Sequence, residues 1–417
     1  MSSDATPDPY ANPLVFGQRM QILRERKGMT RAVLGGLLGK SVDWVKDMER
    51  GRMQPPGIDM VYRIAQALRV RDLSDLTGRP DVHVDLFIGP GHPRLASVRA
   101  AVDTLQIGIP TGPPPRTAHL KARLASAWAA RHSAPDHRDR IGALLPDLIC
   151  DAQLAVQLAV QPTEWRAAQA VLAEVYSLSQ FFLSYQPDSS LLWRVAERSM
   201  VAAQQSANPH SIGVSTWLLA QAHRDTGPDH YDAADQITQQ TLDYLTPLLP
   251  DASDDVLAIA GALTFEAGYT AARRGDTADA WRYWDVAKGM AERLPASYYH
   301  PVTSFSQAIM GAHAVTVAVE LHSGHESVRQ AARADADIIP SRPRRARHRI
   351  EQARGYQLDR QPEAAIATLA QAHAAAPETI RYNGYARAII LEEVESKVAD
   401  RRRRASELAV KVGLLAA

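Results

Sequence analysis

The segment Thr30-Arg31-Ala32-Val33-Leu34-Gly35-Gly36-Leu37-Leu38-Gly39-Lys40-Ser41-Val42-Asp43-Trp44-Val45-Lys46-Asp47-Met48-Glu49-Arg50-Gly51 holds two helix starts and two helix stops in quick succession. A threonine or serine oxygen can accept a hydrogen bond from the free N–H groups of a helix start, so Thr30 and Ser41 read as caps. Glycine alone adopts the left-handed backbone cheaply, so Gly39 and Gly51 read as stops. The spacing predicts one helix through Leu38, with Leu34, Leu37 and Leu38 on its apolar face, and a second from Val42 to Arg50. Val45 and Met48 should face Leu34, Leu37 and Ile64, which leaves Ser41, Val42, Asp43, Lys46 and Asp47 turned outward.

The same logic extends in both directions. Asn12-Pro13 can start a helix that Gly28 ends, because proline fits a first turn where no N–H is needed. Met1 to Ala11 has no apolar period and reads as a tail. Pro55-Pro56-Gly57 is a rigid turn, and Ile58, Val61, Ile64, Ala65 and Leu68 then follow helical spacing. A short helix around Asp72 to Leu76 closes the unit at Gly78. Between Pro13 and Arg79 there are thirteen Lys and Arg against seven Asp and Glu, whereas the whole chain carries a net charge of only +1. A basic head on a slightly acidic body points to a polyanionic partner for the head.

Arg24, Leu34, Gly39, Ser41, Glu49-Arg50-Gly51 and Pro55 together resemble the Xre-type (phage repressor and Cro-like) helix-turn-helix over about Pro13 to Gly78. A helix enters the major groove, about 12 Å wide, only when a second helix braces it steeply. The resemblance implies base-reading positions at Val42, Asp43 and Asp47, and positions near phosphates at Arg31, Lys40, Ser41, Lys46, Arg50 and Arg52. It also implies an architectural ion pair between Arg24 and Glu49. Arg31 stands where the family usually has glutamine, with the expectation of a retained phosphate contact. Asp43 and Asp47 could accept from cytosine N4, or make contacts with Lys46 and Arg50 on their own helix. Trp44 could pack at the rim of the helix pair or lie against the nucleic-acid backbone.

From Arg79 to Thr117 the chain is dense in Pro and Gly around one helix expected from Arg94 to Leu105, read as a semi-rigid connector with a bridging helix. Beyond Arg116, prolines bound helix-length segments rich in Ala, Leu, Gln, Arg and Glu, and alternating strand patterns are nearly absent. The fold class is all-α, with antiparallel hairpins. Gly268, Ala280, Trp284 and Ala287, then Ala353, Tyr356, Ala365, Leu369, Ala372 and Pro377, resemble tetratricopeptide repeats, which need small residues where helices cross. Looser matches begin at Ala196, Ala222, Ala234 and Ala331. The resemblance implies an α-solenoid in which the first helix of each hairpin lines a concave groove, with His223, Phe265, Glu266, Tyr269, Arg273, Arg347, Glu351 and Arg354 on its wall. Such a mixed aromatic and charged wall suits a short peptide or small polar ligand. The basic runs Ser341 to Arg349 and Arg401 to Arg404 read as solvated faces or as anchors for an anion.

The chain has 417 residues, 46% of them hydrophobic and 22% charged, which excludes a disordered or collagen-like class. No run of apolar residues reaches membrane-span length and no signal-peptide pattern opens the chain, so a cytoplasmic protein without membrane association is expected. One cysteine, Cys150 in an apolar helical context, reads as structural. No phosphate loop, H-E-x-x-H, nucleophile elbow or Cys/His cluster occurs, so no catalysis, cofactor or metal is expected. The expected divisions are a tail over 1–11, a helix-turn-helix domain over 12–79, a connector over 80–116 and a helical-repeat domain over 117–417. The whole resembles bacterial peptide-pheromone receptor regulators and related actinobacterial proteins. That implies a DNA-binding transcriptional regulator which senses a ligand and forms a homodimer on operator half-sites about 34 Å apart. The alternatives are an interaction module of antitoxin or scaffold type, acting mainly through the repeats, and a protein that regulates an enzyme.

Overall fold

The computed structural model describes residues 16–53, 56–68, 70, 73–77, 91–104, 113 and 115–415. They fall into two compact units, Met1–Leu86 and Phe87–Ala417. The expected tail, the helix start at Asn12-Pro13, Pro55 of the rigid turn, Gly78 and most of the Pro-rich connector lie outside the described residues. Those residues are helical, with no strand among them.

In the first unit the helices are α1 (Phe16–Arg26), α2 (Arg31–Leu38), α3 (Val42–Glu49), α4 (Ile58–Ala67) and α5 (Ser74–Thr77). Thr30 Oγ1 accepts from Val33 N and Ser41 Oγ from Trp44 N, at 3.2 and 3.1 Å. Gly39 takes the left-handed conformation, φ 64°, that makes the tight turn between α2 and α3. Met20, Leu34, Leu38, Val45, Met48, Ile64, Leu68 and Leu76 make the core. Leu37, expected there, is instead 58% exposed. The reason is rotational. The buried face of α2 runs through Leu34, Gly35 and Leu38, and Leu37 lies on the opposite flank of that stripe. Gly17 lets α1 cross the end of α3, because a Cβ there would come within 2.0 Å of Met48 O. Gly17→Ala is therefore expected to cost the unit about 1–3 kcal/mol through overpacking, read as a lower urea midpoint for this unit alone.

The second unit begins earlier than expected. The helix α6 (Leu95–Asp103), expected within the connector, packs into this unit: Val98 and Val102 are buried in the same core as Leu120 and Ile141. Arg94 pairs with Asp139 at 2.7 Å and Arg99 with Asp188 at 2.9 Å, which ties the helix to this unit.

Six hairpins follow: α7 (Thr117–Ser133) with α8 (His137–Leu158), α9 (Pro162–Leu183) with α10 (Ser189–Ser206), and α11 (Pro209–Thr226) with α12 (Tyr231–Leu245). Next come α13 (Asp254–Arg274) with α14 (Thr277–Glu292), α15 (Met310–Glu320) with α16 (Gly324–Arg333), and α17 (Arg342–Leu358) with α18 (Pro362–Ala375). Helices α19 (Pro377–Tyr382), α20 (Gly384–Val394) and α21 (Ala399–Val412) complete the unit against α17 and α18. The small residues expected at helix crossings are there. A Cβ on Gly268 would meet Tyr283 Cβ at 2.9 Å, and Ala280, Ala287, Ala353, Ala365 and Ala372 are fully buried.

The first helices of the hairpins form an inner layer, each packed on the next, and the last of them, α17, packs back on the first, α7. The array therefore closes on itself. His132, at the end of α7, hydrogen-bonds Pro301 O through Nε2 at 2.7 Å and Ser341 Oγ through Nδ1 at 2.8 Å. Because a carbonyl can only accept, Nε2 carries the proton and Nδ1 accepts from the Ser341 hydroxyl. Helix α8 is long and apolar enough to cross a membrane by composition, but Ile141, Leu145, Leu148, Ile149 and Ala152 are buried in the core. Cys150 on the same helix is half-buried, and burial followed by the nearby Asp151 and Asp147 pushes its thiol up.

Candidate functional site

In the first unit, α3 presents its outward face as expected. Lys40, Ser41, Val42, Asp43, Arg50 and Arg52 are exposed, and Lys46 and Asp47 are half-buried. Val42 is an exposed aliphatic group of the kind that meets a thymine methyl. Trp44 packs partly against the core at the rim, and the Lys40 ammonium sits 5.7 Å from its ring centroid. Asp47 pairs with Arg52 at 3.3 Å, not with Arg50. No ion pair joins Asp43 to Lys46 among the described residues, which leaves the Asp43 carboxylate on the open face.

Arg24 and Glu49 form the expected pair, with Arg24 Nε 2.5 Å from Oε1 and Nη2 3.1 Å from Oε2 of a fully buried carboxylate. Burial would lower the Arg24 guanidinium, but its hydrogen bond to Glu49 outweighs this and raises it. Arg31 also has a contact within the unit. Its Nε donates to Glu49 Oε2 at 2.7 Å, so this arginine braces the start of α2 against the end of α3. The cause is again rotational, since Arg31, Leu34, Gly35 and Leu38 follow i, i+3, i+4, i+7 spacing on the buried stripe.

In the second unit, the closed inner layer surrounds a cavity of about 730 Å³. All six inner helices reach it, and the size is that of a small-ligand site. Of the eight residues expected on the groove wall, Phe265, Glu266, Tyr269, Arg273, Arg347 and Glu351 line this cavity. His223 does not, being packed edge-on against Trp193 with ring centroids 4.7 Å apart. Arg354 stands behind the wall, 2.7 Å from both Glu320 and Glu351, with its guanidinium 3.8 Å from the Tyr385 ring.

The wall is strongly charged. Glu266 pairs with Arg224, whose guanidinium lies 4.0 Å from the Tyr269 ring. Glu351 pairs with Arg347 at 2.6 Å. Burial alone would raise the Glu351 carboxyl, but Arg347 and Arg354 hold it below its ordinary value. Burial, then the neighbouring Glu320, pushes the Tyr269 phenol far up. Phe265 stacks on His313 with centroids 3.7 Å apart, and burial holds that imidazole well below its ordinary value.

Three further arginines line the cavity: Arg131, Arg138 and Arg344. Burial pushes Arg131 down to about 9, with Arg138 and Arg344 adding to the drop and Tyr299 opposing it. Arg344 stood out in sequence only as part of a basic run; Arg131 and Arg138 did not. Among the described residues, no group of three or more His, Cys, Asp or Glu is placed to hold a metal ion.

The family model described as "Helix-turn-helix domain" matches residues 15–77. The first unit thus carries a helix-turn-helix DNA-binding domain. No curated protein matches the chain. Among solved structures, the chain is similar to PlcR of Bacillus thuringiensis, solved with the peptide PapR7 and DNA. The identity is 10% and the TM-score 0.30, over 85% of this chain and 98% of that one. It is also similar to ComR of S. thermophilus, solved with DNA and its signalling peptide ComS, at 12% identity and TM-score 0.26, over 86% of this chain and 99% of that one.

Proposed function

We propose that this chain is a sequence-specific transcriptional regulator whose helical array binds a peptide or small ligand, acts without catalysis and mediates homodimerisation. The observation that carries the reading is α3 itself. It is capped by Ser41, braced by α2 and shows Val42, Asp43, Lys46 and Arg50 on its open side within a matched helix-turn-helix domain. One such helix reads few base pairs, so two copies on paired half-sites would supply the specificity. The cavity supports the sensing half of the proposal, because a concave interior lined by aromatic groups and a few convergent charged groups is the ordinary form of a ligand site.

The test is capture of fragmented host DNA by the purified chain beside a Lys46→Ala, Arg50→Ala double variant at near-physiological salt. Recovery of a few palindromic sites that the variant loses is the expected result. The slope of log affinity against log salt should fall by about one for each phosphate contact removed. Uniform weak capture that is unchanged in the variant would sink the regulator reading.

A further inference from the structure

The carboxylates in the cavity wall are already taken. Glu266 has Arg224, Glu351 has Arg347 and Arg354, and Asp225 lies 3.5 Å from Arg273. Asp188 caps α10 through Leu191 N and pairs with Arg99. Arg131, only 9% exposed, has its guanidinium 4.0 Å from the Phe181 ring centroid, and its Nη1 lies 3.4 Å from Nδ1 of neutral His132. No ion pair to Arg131, Arg138 or Arg344 occurs among the described residues. Arg344 keeps a buried Nε without an acceptor. Arg138, 5% exposed, donates Nη1 to Phe182 O at 2.6 Å, yet its Nε is also buried and unaccepted. The carboxylate that Arg138 faces, Glu378, is engaged at 2.6 Å by the Arg138 backbone N–H.

The glutamines lean the same way. Gln180, Gln186 and Gln221 each line the cavity with a buried Nε2 that finds no acceptor. Neutral His348 leaves both ring nitrogens unpaired and His137 and His313 one each, so a few acceptors are free. Unpaired donors outnumber them, and among the described residues no carboxylate answers the three arginines. Buried cations and donors in that state are costly unless a partner completes them.

We propose that Arg131, Arg138 and Arg344 anchor the oxyanion of an amphipathic ligand, a carboxylate, sulfonate or phosphate group, whose apolar body lies against Trp193, Trp217 and Phe265. This rests on the reading of the cavity as a ligand site. Guanidinium groups suit the role because their planar N–H forks match the oxygens of such an anion.

The test uses the full chain and two fluorescent probes that share an apolar body, 8-anilinonaphthalene-1-sulfonate and uncharged N-phenyl-1-naphthylamine. The sulfonate is expected to bind saturably at one site per chain, about tenfold or more tighter than the neutral probe, as a charged hydrogen bond would give. Arg131→Met and Arg344→Met should each weaken the sulfonate about tenfold and leave the neutral probe nearly unchanged. Without probe both variants should melt no lower than the parent, since each removes a guanidinium that no carboxylate pairs, buried at Arg131 and half-buried at Arg344. Competition by random hexapeptides with free carboxyl or amidated ends, beside six- to ten-carbon monocarboxylic acids, distinguishes a peptide terminus from a small organic acid.

Equal affinity for the two probes, undiminished sulfonate binding in both variants, absence of a saturable site, or lower melting of both variants would each overturn the anion site. DNA takes no part in this assay. Sulfonate binding without any change in operator affinity would leave the site standing and remove the sensing function, whereas operator binding with no sulfonate site would do the reverse.

Discussion

Glu49→Ala is expected to unfold the helix-turn-helix unit while the helical array stays folded. The Glu49 carboxylate is fully buried and receives Arg24 through two nitrogens and Arg31 through one. Removing it leaves the buried Arg24 guanidinium with only Met29 O at 2.8 Å and the exposed Glu25 at 3.3 Å. Breaking a buried pair from one side costs about 3–5 kcal/mol. A unit of some sixty residues holds roughly 3–9 kcal/mol in all, so the loss is comparable to its whole stability. Calorimetry on the full chain should show the N-terminal transition vanish and the array transition persist, with new proteolytic cuts confined to residues 16–77. Glu49→Gln, which keeps an oxygen for Arg24, should fall between the two. An N-terminal transition unmoved by Glu49→Ala would show that the pair does not hold α1 and α2 to α3.

The array should lose stability steeply as pH falls from about 6.5 to 4, before most carboxylates titrate. Burial, reinforced by Arg344, holds His348 down at about 4. Burial, with Arg138 and Arg131, holds His137 at about 2. Burial also pushes His300 and His313 well down. These imidazoles are neutral in the folded protein at pH 5, whereas in the unfolded chain they take protons near 6.5. The unfolded state thus binds more protons across this window, so the stability they confer is complete above pH 6.5 and drains away toward each folded value. His348 alone accounts for about 3 kcal/mol by pH 4, at about 1.4 kcal/mol per pH unit.

Urea midpoints for the array taken every half pH unit should trace this fall, and His348→Gln should remove about one proton from the uptake on unfolding. Glu351 acts later. Its depressed carboxyl confers stability that is lost only as pH drops below its ordinary 4.5. A midpoint that stays flat from pH 6.5 to 4.5 would contradict the burial of these histidines.

The elements were legible because their signals are local. Thr30 and Ser41 cap helices, Gly39 turns left-handed and the prolines after residue 116 bound helices, each through chemistry that acts within a few residues. The inward arginines were harder to read, although a signal for them exists. Arg31 shares its stripe with Leu34, Gly35 and Leu38, Arg131 with Leu120, Leu124 and Ala127, and Arg138 with Ile141, Gly142 and Leu145. An arginine on an apolar stripe must either snorkel out or find a partner inside, and only the tertiary fold decides which. For Arg31 the partner is Glu49, eighteen residues away. The meeting of α7 with α17 was beyond reach for the same reason, because it joins His132 to Ser341 across 209 positions.

An open stack of hairpins tolerates duplication or loss of a member, since each contacts only its neighbours, and its ends can peel away first. Here α7 has α17 on its other side, so deleting one hairpin would pull apart the contact between them as well as those to either neighbour. The number of hairpins is therefore set by the circumference, and the ring should melt as one cooperative block with no fraying end.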